Sequence, residues 1–210
     1  MHVKLKICGM RFPENIEEIS QLNPDFIGFI FYPKSVRYFD LPSLPNLPEN
    51  IQKVGVFVDA TLDFIEEKVK QYSLNYVQLH GNESVVICQK IQTLDLKVIK
   101  AFAVDEAFDF DILKAYENVV DYFLFDTKGK LPGGNGLTFS WELLNKYVLT
   151  KPYFLSGGIG QEDVTKIQAF LNSRVAQYCF GIDVNSKFEN QLGEKDKNKL
   201  QIFKNQLYGD

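Results

Sequence analysis

The chain has 210 residues, 45% of them apolar, and a formal net charge of −4. That much apolar material builds a sizeable core and excludes a mainly disordered chain. The acidic balance, with lysines dispersed along the chain, leaves no nucleic-acid surface, and no apolar run approaches the roughly 18 residues needed to cross a bilayer.

The start, Met1-His2-Val3-Lys4, passes directly into a strand, so no signal peptide is expected. Three cysteines (Cys8, Cys88 and Cys179), an odd number without C-x-x-C spacing, fit a reducing cytoplasm. With only His2 and His80 present, no histidine-built metal site is expected.

In chain order, eight short apolar, β-branched or aromatic runs predict strands: Val3–Cys8, Phe26–Phe31, Val54–Val58, Tyr76–Leu79, Val98–Val104, Tyr122–Asp126, Tyr153–Leu155 and Tyr178–Phe180. Helical patterns lie between them. Pro13-Glu14 opens a helix through Leu22, Leu62, Ile65 and Val69 share a helix face, as do Val164, Ile167 and Leu171, and Leu200, Phe203 and Leu207 form a last stripe. Pro42, Pro45 and Pro48 favour extended geometry over helix, so the second helix is expected to be short or missing. The charged run Glu194–Lys199 reads as a solvated helix face.

Strands alternating with helices pair in parallel, and eight repeats predict an α/β fold closed as a single (β/α)8 barrel, one domain over residues 1–210. An open doubly wound sheet is the competing reading. It usually carries an early G-x-G-x-x-G turn, which this chain lacks.

Chemistry in such barrels gathers at the carboxyl ends of the strands. Cys8 ends the first strand, and alternation puts Lys4, Lys6 and Cys8 on one face, predicted to line the barrel. A lysine beside the thiol favours the thiolate, a nucleophile or a general base; the alternative is a small buried hydrophobe. Asp126 ends the sixth strand behind Tyr122-Phe-Leu-Phe125, where poor solvation would raise its pKa and suit it to donate a proton. It also reads as a cap for the loop that follows. Leu131–Phe139 contains Pro-Gly-Gly-Asn-Gly and reads as a mobile loop over the barrel mouth, or as a plain surface loop. Glycine-bearing turns at Leu155–Gly160 and Gly181–Ser186 expose N–H groups after strands seven and eight, and a short helix beginning near Asn185 would add its positive end. Together they predict an anion site. Arg37 follows the second strand and is either a carboxylate or phosphate ligand or a solvated charge. His80 has no evident partner in sequence.

Taken together, Lys6-Ile-Cys-Gly9, Ser35-Val-Arg37, Val54-Gly-Val-Phe-Val58, Gln78-Leu-His-Gly81, Phe125-Asp-Thr127, Ser156-Gly-Gly158 and Gly181-Ile-Asp-Val184 resemble the phosphoribosylanthranilate isomerase family of tryptophan biosynthesis over essentially the whole chain. The resemblance implies an Amadori rearrangement of an aminoaldose to an aminoketose, needing no nicotinamide, flavin or metal, on a small phosphosugar substrate. It implies Asp126 as general acid and Cys8, as thiolate, as general base. Gly157, Gly158, Asn185 and Ser186 would hold the phosphate, Arg37 the anthranilate end, and Asp183 a sugar hydroxyl, with His80 as a further substrate contact. Departures from the family pattern are Asn135 and Ser140 around the glycine loop, and Asn185 and Lys187 in the last turn, where Lys187 would add positive charge near a phosphate.

Two other readings stand beside it. The sister isomerase of histidine biosynthesis places an aspartate where Cys8 stands, and a non-catalytic phosphate-binding barrel has no need of Cys8 and Asp126. A monomer is the expected default.

Overall fold

In the computed structural model, which describes residues 3–127 and 139–209, all eight predicted runs become parallel strands. They are β1 (Lys4–Ile7), β2 (Phe26–Ile30), β3 (Gln52–Phe57), β4 (Tyr76–Leu79), β5 (Lys97–Val104), β6 (Tyr122–Thr127), β7 (Tyr153–Leu155) and β8 (Cys179–Val184). They hydrogen-bond in chain order, and β8 returns to β1 to close the barrel, with Lys4 opposite Gly181 and Ile7 opposite Val184. β8 runs well past its predicted end at Phe180. Gly181 is a strand residue: a Cβ there would stand 2.7 Å from the Phe154 ring, so the glycine marks close packing and not a turn.

The helices are α1 (Pro13–Ser20), α2 (Leu62–Tyr72), α3 (Val85–Gln92), α4 (Val164–Leu171) and α5 (Lys197–Tyr208). Thr61 caps α2 through its hydroxyl and Asp196 caps α5 through its carboxylate, each accepting an N–H of the first turn. No helix lies between β2 and β3, as the prolines predict. The outer face of these two strands is covered instead by rings. Phe31 stacks on Phe57 at 5.3 Å and on Tyr72 of α2 at 5.1 Å, and Phe39 packs on Phe29 at 4.9 Å. Single 3-10 segments, Phe110–Ala115 and Trp141–Lys146, stand where full helices would follow β5 and β6.

Inside the barrel, four rings from the even strands form a closed layer near the amino-terminal end. Phe26 meets Tyr76 at 5.2 Å, Tyr76 meets Tyr122 at 6.1 Å, Tyr122 meets Phe180 at 4.6 Å, and Phe180 returns to Phe26 at 6.1 Å. Phe154 sits against three of them. This floor seals the amino-terminal end and leaves the polar residues at the other.

Two expectations are corrected here. Lys4 does not line the barrel; it lies at the strand's solvent end, half exposed, with its ammonium 2.7 Å from Asp25. The Glu194–Lys199 run is not one solvated helix face, because Glu194 and Lys195 form strand β10, paired antiparallel with β9 (Glu189–Gln191), and Lys195 is 1% exposed. A helical reading cannot see that pairing, since the partner strand lies just before the run. The predicted glycine-rich loop lies outside the described residues apart from its last member, Phe139, which is buried and donates its N–H to Thr127 Oγ1 at 2.9 Å. Among the described residues, no helix is long and apolar enough to cross a membrane.

Candidate active site

A cavity of about 210 Å³ opens at the carboxyl ends of the strands. Cys8, Arg37, His80, Asp126, Gly157, Gly158, Asp183, Asn185 and Ser186 all line it, so every candidate site residue meets in one place.

Cys8 follows β1, held by its N–H on Val184 O at 2.9 Å, and is 4% exposed. Space for its thiol comes from the neighbouring strand. A Cβ on Gly28 of β2 would lie 2.8 Å from Cys8 Sγ, closer than real side chains approach. Burial pushes the Cys8 thiol up, against the opposing pull of the Lys6 ammonium. Lys6 is itself fully buried; burial opposes its charge, yet Asp183 and Cys8 raise it above the ordinary lysine value. Its Nζ lies 2.8 Å from Asp183 Oδ1, and the other oxygen of Asp183 accepts Ser156 Oγ–H at 3.0 Å. The lysine expected to favour the thiolate is therefore in place and pulls in that direction. The ammonium is present, but desolvation outweighs it.

Asp126 ends β6 at 5% exposure. It is not simply a carboxylate backed by rings, because both oxygens meet nitrogen: Oδ1 accepts the Thr127 N–H at 2.8 Å and Oδ2 lies 3.2 Å from His80 Nε2. His80 Nδ1 in turn lies 2.9 Å from Gln78 Nε2. Gly157, at φ +95°, leaves this carboxylate its room, since a Cβ there would stand 2.9 Å from Asp126 Oδ1. The loop carrying His80 is pinned from outside the barrel. The buried Lys100 ammonium reaches Gly81 O at 2.8 Å and Glu83 at 3.1 Å, and Glu83 accepts the Gly81 N–H.

Gly157 and Gly158 both take left-handed backbone conformations, φ +95° and +64°, which suit glycine. Their N–H groups and that of Ser186 have no acceptor among the described residues. Ser186–Phe188 form a 3-10 turn preceded by Asn185, in place of the expected short helix. Lys187 does not face this cradle. It is exposed, and its Nζ lies 3.3 Å from Glu162.

Ile30, Val36 and Val56 add apolar lining to the same cavity, to which Arg37 also contributes. Arg37 is not a solvated charge; it is 8% exposed and clamped by Glu189. Lys195 Nζ also reaches Glu189, at 2.6 Å, and Asn185 Oδ1 at 2.7 Å. Burial opposes the charge on Glu189, but Arg37 and Lys195 hold it below the usual carboxylate range. Lys195 is lowered by burial to about 8, although Glu189 works the other way.

Gln78, Gly28, Glu189 and Lys195 are absent from the sequence-based candidates. Gln78 was legible in principle, since period-two alternation puts it on the same strand face as His80. Glu189 and Lys195 carry no such signal, because they stand on a hairpin outside the barrel pattern.

A closed eight-stranded barrel with a thiol, a carboxylate and N–H groups that lack an acceptor among the described residues, all at one mouth, defines a (β/α)8 enzyme. Residues 5–206 match the family model for N-(5'-phosphoribosyl)anthranilate (PRA) isomerase. The chain is 43% identical over 208 residues to the N-(5'-phosphoribosyl)anthranilate isomerase of Parabacteroides distasonis, covering 97% of this chain and 92% of that protein. Among solved structures it resembles a phosphoribosyl anthranilate isomerase in complex with reduced 1-(o-carboxyphenylamino)-1-deoxyribulose 5-phosphate, with TM-score 0.79, 30% identity, and 99% and 100% of the two chains covered. A second is that of monomers generated from the dimeric isomerase of Thermotoga maritima, with TM-score 0.78, 30% identity and the same coverage. The chain belongs to the phosphoribosylanthranilate isomerase family, and its activity is PRA isomerisation in tryptophan biosynthesis.

Proposed function

We propose that Asp126 and Cys8 divide the proton transfers of this rearrangement, within a single barrel domain spanning residues 1–210. Asp126 protonates the ribose ring oxygen. The C1–O bond breaks with its electron pair going to that oxygen, and the nitrogen lone pair forms the C1=N bond of a cationic Schiff base. Cys8, as thiolate, then removes the proton from C2. That electron pair forms C1=C2 and neutralises the nitrogen, giving an enolamine that tautomerises to the aminoketose. Burial disfavours the thiolate in the free site, and a cationic Schiff base next to C2 offsets that penalty when it is needed.

The observation that carries this reading is that Cys8 and Asp126 line one small cavity together with Arg37 and the Gly157, Gly158 and Ser186 cradle. The phosphate takes the N–H groups of Gly157, Gly158 and Ser186, which lack an acceptor among the described residues, with Asn185 beside them. The anthranilate ring lies on the wall of Val36 and Val56 with its carboxylate toward Arg37, Asp183 meets a sugar hydroxyl, and His80 stands at the acid. All of these groups come from one chain, so the reading needs no second copy. The three cysteines are unpaired, which supports a reducing, cytoplasmic setting.

The test follows the loss of anthranilate-derivative fluorescence with freshly generated PRA, for the intact chain, Cys8→Ala and Asp126→Asn. Turnover that falls by about 10²-fold or more in each folded variant supports both roles. Near-full activity in either variant overturns that assignment.

A further inference from the structure

Gln78 lies on β4 with its side chain 1% exposed, yet its Oε1 has no hydrogen-bond partner among the described residues. A buried amide oxygen left unpaired is unfavourable, and a methionine of similar size would avoid the loss. Gln78 also lines the cavity, and the other end of its amide is paired. That end, Nε2, lies 2.9 Å from His80 Nδ1. An amide nitrogen only donates, so this contact is a hydrogen bond when Nδ1 accepts, which puts the hydrogen of a neutral ring on Nε2. Nε2 lies 3.2 Å from Asp126 Oδ2.

The backbone on either side of the ring is held in place. His80 N bonds Phe57 O at 2.8 Å, and Lys100 and Glu83 hold Gly81 just beyond it. On that backbone, either ring nitrogen can carry the hydrogen. We propose that Gln78 is a positioning residue that fixes His80 as the Nε2–H tautomer, so that an N–H meets the negative charge growing on Asp126 as it gives up its proton. With the Thr127 N–H on Oδ1, the departing proton leaves a carboxylate met by a donor at each oxygen. In the other tautomer a nitrogen lone pair would face that charge and oppose the transfer. The inference rests on the reading of Asp126 as the acid.

The test uses the full chain labelled with 15N-histidine, recorded above the histidine titration range. Only two imidazoles are present, and His2→Ala assigns them. The expected wild-type spectrum shows His80 unprotonated at Nδ1. In Gln78→Glu, whose carboxylate only accepts, the hydrogen moves to Nδ1, and in Gln78→Met both tautomers appear. In both variants kcat falls by about 10- to 100-fold while KM stays within about threefold. A wild-type His80 protonated at Nδ1 overturns the proposal, and that spectrum decides even if a variant does not fold. Unchanged tautomer and kcat in Gln78→Met overturn it as well. Full activity in Asp126→Asn would instead remove the acid assignment and leave the tautomer result standing.

Discussion

Arg37 and Glu189 meet edge to edge, with Nε and Nη2 of the guanidinium each 2.7 Å from a different oxygen of one carboxylate. The pair joins a loop after β2 to the hairpin after β8, and fixes the angle at which Arg37 faces the cavity. Such forked pairs give geometry as well as energy. Glu189→Gln keeps the size but removes the charge shared by Arg37 and Lys195. The expected outcome is a KM for PRA raised about tenfold, with a smaller change in kcat. Two buried cations then lack a counter-charge, so stability drops by about 3 kcal/mol. Steady-state kinetics and urea unfolding check both.

Lys195 supplies a pH signature. Burial lowers it to about 8 in the folded chain, while its ordinary value is 10.5. Between those values the unfolded chain holds a proton that the native chain has lost, so this group makes stability rise with pH there. Below about 8 both states are charged and the penalty is fully present. Above about 10.5 it is gone. Relative to Lys195→Met, the wild type should gain up to about 3 kcal/mol across that window. Parallel unfolding-free-energy curves for the two proteins would contradict this.

Gly28→Ala places a methyl 2.8 Å from Cys8 Sγ and 3.2 Å from Cys8 Cα. The thiol must move while the fold can hold. About a 100-fold loss in kcat is expected, with a small change in thermal midpoint, because a displacement near 1 Å suffices for that loss. An active Gly28→Ala enzyme would mean that the thiol has room the structure does not show.

Because burial pushes the Cys8 thiol up, inactivation of the free enzyme by iodoacetamide should accelerate with pH past the ordinary cysteine value of 9.0. Lys6→Met removes the group that pulls the other way, so its curve should shift higher still. A rate that levels off near neutrality would point to a preformed thiolate.

The sequence carried the barrel because parallel strands buried on both faces leave contiguous apolar runs. Tyr76–Leu79 and Tyr153–Leu155 fall on their predicted ends. The proline spacing also removed the second helix correctly. Where the reading failed, a residue's neighbour lay far away in sequence or in an unrecognised pairing. Gly181 was read as a turn because Phe154, the ring pressing on it, is 27 residues earlier. Lys195 was read as solvated because Asn15, which bonds its N–H at 2.7 Å, lies 180 residues away. Cys8 and Asp126 were legible as strand-end residues. The relay behind Asp126 was not, since an imidazole and a carboxylate 46 positions apart become partners only when the barrel closes.

The ring-covered outer face of β2 and β3 bears on how this barrel can be divided. In a barrel of independent strand–helix repeats, a cut between any two units yields pieces that each bring their own cover. Here Tyr72, on the helix after β3, stacks on Phe31, meets Phe39 edge to face and donates its hydroxyl to Leu41 O at 2.6 Å. The second repeat thus borrows its roof from the third. Recombining fragments of this chain with those of other barrels should work only with joints that keep residues 26 through 72 together, which makes that stretch the smallest exchangeable module on this side of the molecule.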